Sequence, residues 1–346
     1  MAAVALSGEH IEQALDKHLD PPPPEPPAGF DPLNASAAAL AKYALPRKPD
    51  PGNNAACTIW KALVSEPAEL ARQAVPLASA DRDLPERKSY GGAQETSLNW
   101  SGAVTYAGGP FTQVFGLWQV PAVAAPSDGD QRSFRCSTWI GLDGHDATSP
   151  SMPQVGVTMI VDTADGAATP RYEAWFQWWN RHYSPLYQLK PRIITGFPIA
   201  EGDMVACALD VVDPQTVTVT IRNLTPPNVT SFRRTFSGVI TVPPPGPPVT
   251  IELGPVKGTS AEWIVERPAR FKDPDSRFPL PVFDTVMFLP ATSSQAFGPA
   301  RMIRMVEPRA GTPSRLAVLS RARKDYLADG SPVVIAGPGL ERAMGG

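Results

Sequence analysis

Histidine and cysteine are scarce in this sequence, and their scarcity removes whole classes of chemistry. Four histidines (His10, His18, His145 and His182) lie far apart. They lack the close ligand spacing of a metal site, so neither a metal nor a cofactor is expected. Three cysteines (Cys57, Cys136 and Cys207) are too few for a disulfide framework. Cys207 sits in the apolar run 204–209 and reads as a buried free thiol. With so few histidines and no G-x-S-x-G elbow, no Ser or Cys triad assembles. Charged residues make up only 19% of the chain, with a formal net charge of -3. That gives no basic face for nucleic acid or an anionic membrane. No stretch approaches the roughly 20 apolar residues of a membrane helix. The first residues lack a basic n-region and a full h-region, so no secretory signal peptide is expected.

Proline is abundant instead, at 41 of 346 residues, against a usual share of about 5%. Long helices tolerate it poorly, which favours short strands joined by many turns. Residues 1–93 differ in composition from the rest and read as a Pro-rich, partly helical N-terminal extension. Helical stretches at 11–18, 35–45 and 58–73 alternate there with proline runs at 21–27 and 46–51. Seven of the eight tryptophans lie between Trp100 and Trp263, so the packed domain is expected at 94–337, followed by a tail at 338–346. Strand candidates fall at 101–106, 112–119, 137–142, 155–161, 172–179, 204–212, 215–222, 231–239, 249–253 and 262–266. Further candidates at 283–289, 302–306 and 333–335 complete the set, while 315–327 reads as helical. Many short strands between Gly and Pro turns predict an all-β fold, an antiparallel sandwich. The strand at 215–222 alternates cleanly, with Val217, Val219 and Ile221 opposite three threonines and Arg222, and reads as half-buried.

Three strands present matching faces. In Ala261-Glu262-Trp263-Ile264-Val265-Glu266, two carboxylates oppose an apolar set. In 172–179, Glu173, Trp175, Gln177 and Trp179 share one face; in 154–159, Gln154, Gly156 and Thr158 do. If the three lie in one sheet, these faces build a groove with aromatic walls and a few polar groups, the chemistry of a binding cleft. Residue type alone leaves Glu262 and Glu266 equivalent.

The same residues carry a resemblance. Asn99-Trp100-Ser101-Gly102, Ser137-Thr138-Trp139-Ile140-Gly141-Leu142-Asp143-Gly144, Pro153-Gln154-Val155-Gly156 and Glu173-Ala174-Trp175-Phe176-Gln177-Trp178 stand in that order. Glu201-Gly202-Asp203, Asn223-Leu224-Thr225 and the 261–266 segment follow. Together they resemble the glutamic peptidases of the eqolisin type, the peptidase G1 or A4 family. The resemblance implies a concanavalin-like sandwich of two bent sheets and a polypeptide substrate. It also implies a catalytic dyad of Glu266 and Gln154, which leaves Glu262 a supporting or solvated role. Trp139, Asp143, Glu173, Trp175 and Gln177 are expected to line the cleft or support the dyad. The family usually has Glu where this chain has Gln177, and an altered acid profile is expected if Gln177 lies beside Glu266. Residues 1–93 take the place of a possible pro-segment that covers the cleft. An extracellular life is implied by the resemblance alone, and a monomer is expected. Sequons at Asn34, Asn99, Asn223 and Asn228 would matter only in a secreted eukaryotic setting.

Two other readings use the same groove. A glycoside hydrolase needs paired carboxyls about 5 Å or about 6.5–9.5 Å apart. Glu262 and Glu266 are four strand residues apart, roughly 13 Å, which leaves Glu173 with Glu266 as the pair. A non-catalytic binding module would keep the cleft without the chemistry.

Overall fold

The computed structural model describes residues 22–65, 93–106, 110–127, 133–146, 148–163, 168–181, 191–242, 249–270, 273–294, 300–309, 312–324 and 333–338. The expected helix at 11–18, the third one beyond residue 65, and the tail after 338 lie outside them. Two short helices come first, α1 (Ala37–Lys42) and α2 (Asn54–Val64). Then follow β1 (Ala93–Ser97), β2 (Trp100–Tyr106), β3 (Gln113–Gln119), β4 (Ser133–Leu142), β5 (Ser151–Asp162) and β6 (Thr169–Asn180). Next are β7 (Arg192–Ile193), β8 (Met204–Asp213), β9 (Thr216–Asn223), β10 (Thr230–Ser237), β11 (Val239–Val242) and β12 (Val249–Glu252). The chain continues with β13 (Ser260–Glu266), β14 (Ala269–Arg270), β15 (Asp273–Arg277), β16 (Thr285–Ser293), β17 (Ala300–Arg309), β18 (Thr312–Lys324) and β19 (Val333–Ala336).

The antiparallel sandwich expected from the strand pattern is present. Its two layers are arms of one 15-stranded sheet, ordered β10-β9-β8-β3-β16-β19-β18-β17-β2-β13-β4-β5-β6-β7. β1 joins β17 in parallel; the other pairings among described residues are antiparallel. Strands β19, β18 and β17 carry the ladder from one layer to the other. Register shifts at Met305/Val306 and Pro308/Arg309 let it bend there. Alternate residues of the arms meet between them. Val114, Trp118, Val205 and Leu209 pack with Ile140, Val155, Val157, Trp263 and Val265 in one apolar core. Segment 315–327, read as helical, is instead mostly strand β18, because pairing with β17 and β19 outweighs local propensity.

Residues 22–65 form a third layer on the outer face of β3, β8 and β9. Asn53 caps α2 by accepting from the Ala56 N–H at 2.9 Å, and Ala56, Ile59, Trp60 and Leu63 make its apolar stripe. The stripe packs on Phe115, Leu117, Ala206 and Ala208, the small alanines allowing close approach. Arg222 donates to the carbonyls of Ala62, Leu63 and Ser65 at the C-terminal end of α2, the end a cation favours. Arg47 pairs with buried Asp210 at 2.6 Å. The strand read as half-buried at 215–222 is thus buried on both faces, since this layer covers Thr220 and Arg222. Among the described residues no helix is long and apolar enough to cross a membrane.

Candidate active site

The cleft lies on the opposite outer face of the sandwich, across β2, β13, β4, β5 and β6. Strand register fixes which side chains meet. Glu266 stands level with Trp100, Ser137, Thr158 and Glu173. Two residues along, Ile264 is level with Gly102, Trp139, Gly156 and Trp175; two more along, Glu262 is level with Val104, Gly141, Gln154 and Gln177. The three faces singled out from alternation therefore do share one surface. Ile264, Trp139, Trp175, Met152 and Val104 form a small apolar cluster of their own beneath it. Gly156 has to be glycine: a Cβ there would come within 2.6 Å of the Trp139 Cβ and 2.1 Å of the Thr138 carbonyl oxygen. The resulting cleft has a volume of about 750 Å³.

Glu266 sits at its floor, crowded by protein yet reachable by solvent. The Trp139 indole donates to its Oε2 at 2.9 Å and the Asn99 amide to its Oε1 at 3.4 Å. The Trp100 indole also faces it, although its N–H falls short of hydrogen-bond geometry. Burial pushes the Glu266 carboxyl above the usual range, and these donors partly pull it back. Gln154 is buried. Its Nε2 donates to Gln177 Oε1 at 2.7 Å, and among the described residues its Oε1 has no partner. One N–H of that amide and its carbonyl oxygen therefore remain for a bound group.

The remaining predicted residues separate into two groups. Glu173, Trp175 and Gln177 line the cleft, as do Trp179 and Arg181. Trp139 is fully buried and reaches the site only through its N–H. Asp143 does not line the cleft: it is fully buried with φ 65° and accepts from the N–H groups of Lys257, Gly258 and Thr259 at 2.6–3.0 Å. It organises the loop leading into β13, which explains why an acceptor is needed there. Glu262 is not solvated. It is fully buried, accepts from Ser260 Oγ at 2.6 Å and leaves Oε2 without a partner. Burial, with the nearby Asp143 charge, raises its pKa well above the ordinary carboxylate range, which favours its neutral form. Gln177 is level with Gln154, not with Glu266, so the expected effect of its missing charge on Glu266 loses its geometric basis. Glu173 is three strand spacings from Glu266, roughly 14 Å. It pairs with Arg171 at 3.4 Å.

Sequence reasoning missed Asn99 as a Glu266 donor, although the Asn99–Gly102 motif is part of the resemblance. It also missed a cluster at one end of the cleft. His145 meets Tyr106 through Nδ1 and Glu95 through Nε2 at 2.9 Å, and Arg301 donates to the same Glu95. Asn223, read as a sequon, is buried and donates to Asp203 at 2.7 Å. The three cysteines are free. Among the described residues no group of three or more His, Cys, Asp or Glu is placed to hold a metal.

The sandwich carries an aromatic-walled cleft with Glu266 at its floor and the buried Gln154 amide on the same face, two levels along. Residues 98–312 match the peptidase A4 family, and the chain belongs to it. Scytalido-glutamic peptidase, solved with a transition state analog inhibitor, is similar in fold at TM-score 0.50 and 19% identity. That match covers 70% of this chain and 98% of the other. SCP-B, an eqolisin solved with the tripeptide Ala-Ile-His, matches at TM-score 0.44 and 17% identity over 70% and 98% of the two chains. Aspergilloglutamic peptidase from Aspergillus niger matches at TM-score 0.39 and 24% identity, over 59% of this chain and 99% of its own. No curated protein matches the sequence.

Proposed function

We propose that this protein is an acid-acting endopeptidase that cleaves polypeptides by direct attack of water, with Glu266 and Gln154 as its dyad. The observation that carries this reading is Glu266 itself. It is a carboxyl raised by burial, held by an indole and an amide, on the same cleft face as an amide with free valences. Ionised Glu266 takes a proton from the attacking water and then returns it to the leaving amine. A raised pKa keeps both forms accessible in acid. The second N–H of Gln154 donates to the developing oxyanion, while Gln177 fixes the amide's orientation. The Ile264–Trp139–Gly156 level lies between the two. No acyl-enzyme is needed.

A denatured protein offered across acid to neutral pH tests the reaction class. Peptide release favouring acid is expected. Release of sugar from a glycan instead would establish a glycosidase, which the Glu173–Glu266 spacing disfavours. Binding without either product would establish a non-catalytic module.

A further inference from the structure

The cleft extends past Glu266 to an arginine that neither the sequence motifs nor the dyad account for. Arg135 lies two residues before Ser137 on β4, so it shares the cleft face and sits one level beyond Glu266, on the side away from Gln154. Two strand residues span about 7 Å, the length of two residues of an extended substrate. Its guanidinium carbon lies 4.1 Å from the Phe278 ring centroid, and that of Arg270 lies 4.4 Å from the same ring. Phe278 lines the cleft as well. Stacking on a ring occupies the face of a guanidinium and leaves its edge donors for a planar anion. Among the described residues, Arg135 Nε is buried without a hydrogen-bond partner. Among the described residues no carboxylate lies within ion-pair distance of Arg135 or Arg270.

The charged groups facing Arg135 are already engaged. Asp162 accepts from Ser133 at 2.6 Å and lies 3.6 Å from Arg171, while Glu173 lies 3.4 Å from Arg171. Burial, with the charges of Arg171 and Arg270, destabilises the Arg135 cation against the help of Asp162 and Glu173. A further carboxylate would relieve that tension.

We propose that Arg135, assisted by Arg270, is a subsite for a substrate carboxylate about two residues from the cleaved bond, giving the enzyme a preference for an acidic residue there. This rests on the peptidase reading above. The preference is tied to the substrate's ionisation: free Glu titrates near pH 4.3, so selectivity vanishes below that and returns above it. An Arg–carboxylate pair of this kind supports discrimination on the order of tenfold.

Matched peptides carrying Glu or Gln at successive positions on each side of one scissile bond, each with a free or amidated C-terminus, test it. At one position the wild-type kcat/KM ratio of Glu to Gln should be about ten at about pH 5.5 and about one at about pH 3. The ratio at the higher pH should fall to about one in Arg135→Gln and stay above one in Arg135→Lys. A preference that follows the free C-terminus instead assigns the same subsite to a terminal carboxylate. A Glu-to-Gln ratio equal in wild type and Arg135→Gln would overturn the proposal while leaving the peptidase reading intact. Binding of the same peptides to Glu266→Gln, read by tryptophan fluorescence, covers the reverse case. A dissociation-constant ratio that survives there without turnover in the wild type would overturn the peptidase reading alone.

Discussion

Trp60 tests whether residues 22–65 are part of the folded enzyme or a detachable cover. It is buried in the stripe of α2 against β3 and β8, and its indole donates to the Pro46 carbonyl at 2.8 Å. A buried tryptophan removes about 150–250 Å² from water, which at about 25 cal/mol per Å² is roughly 4–6 kcal/mol. Alanine keeps part of that, and such substitutions cost about 3–5 kcal/mol. A domain of this size loses about 2–4 °C per kcal/mol, so Trp60→Ala should lower the main melting transition by about 10 °C. Near-UV circular dichroism and loss of activity, followed on heating, should report the same shifted transition. A main transition that stays in place, with a small separate one at lower temperature, would refute an integral third layer. In that case the extension behaves as the removable pro-segment that the family resemblance implies. The described part of it lies on the face opposite the cleft, which already argues that this part does not cover the site.

Other outcomes follow from the site. Glu262 has a folded pKa raised above its unfolded value, so its burial adds no ionisation penalty in acid and destabilises progressively as pH rises through the ordinary Glu range. Glu262→Gln should melt near the wild type at about pH 3 and above it at about pH 7; equal pH dependence in both proteins would contradict a neutral buried carboxyl. Trp139→Phe removes a donor to ionised Glu266, so the acidic limb of kcat/KM should move to higher pH, and an unmoved limb would dissociate the indole from the titrating group. Gln177→Leu frees the Gln154 amide and should lower kcat about tenfold or more with little change in KM; a change in KM alone would assign Gln177 to substrate binding.

The parts of this protein that the sequence discloses are those governed by a strict period. Alternation in β13, β5 and β6 put Glu266, Gln154 and Trp175 on one face because a half-buried sheet enforces a two-residue repeat. Choosing Glu266 over Glu262 needed the family resemblance. Both carboxylates point the same way, and only tertiary packing buries one under Gly141 and Ser260 while leaving the other at the cleft floor. The partner of α2 was illegible for a similar reason. Its apolar stripe shows that it packs, yet the threonines of β9 conceal that their face is covered. Arg135 stands between Phe134 and Cys136, two core residues, and looks like any solvated strand charge until Phe278 arrives from a loop far along the chain. Asp143 was misplaced because a buried acceptor of loop N–H groups and a cleft carboxylate look identical in one dimension.

The most direct measurement is the turnover of one peptide in acid by the wild type, Glu266→Gln and Gln154→Ala, each with its melting curve. With the fold intact, kcat should fall by about 10²–10⁴ for Glu266→Gln and by about 10²–10³ for Gln154→Ala. A folded Glu266→Gln variant that cleaves at the wild-type rate would contradict the dyad.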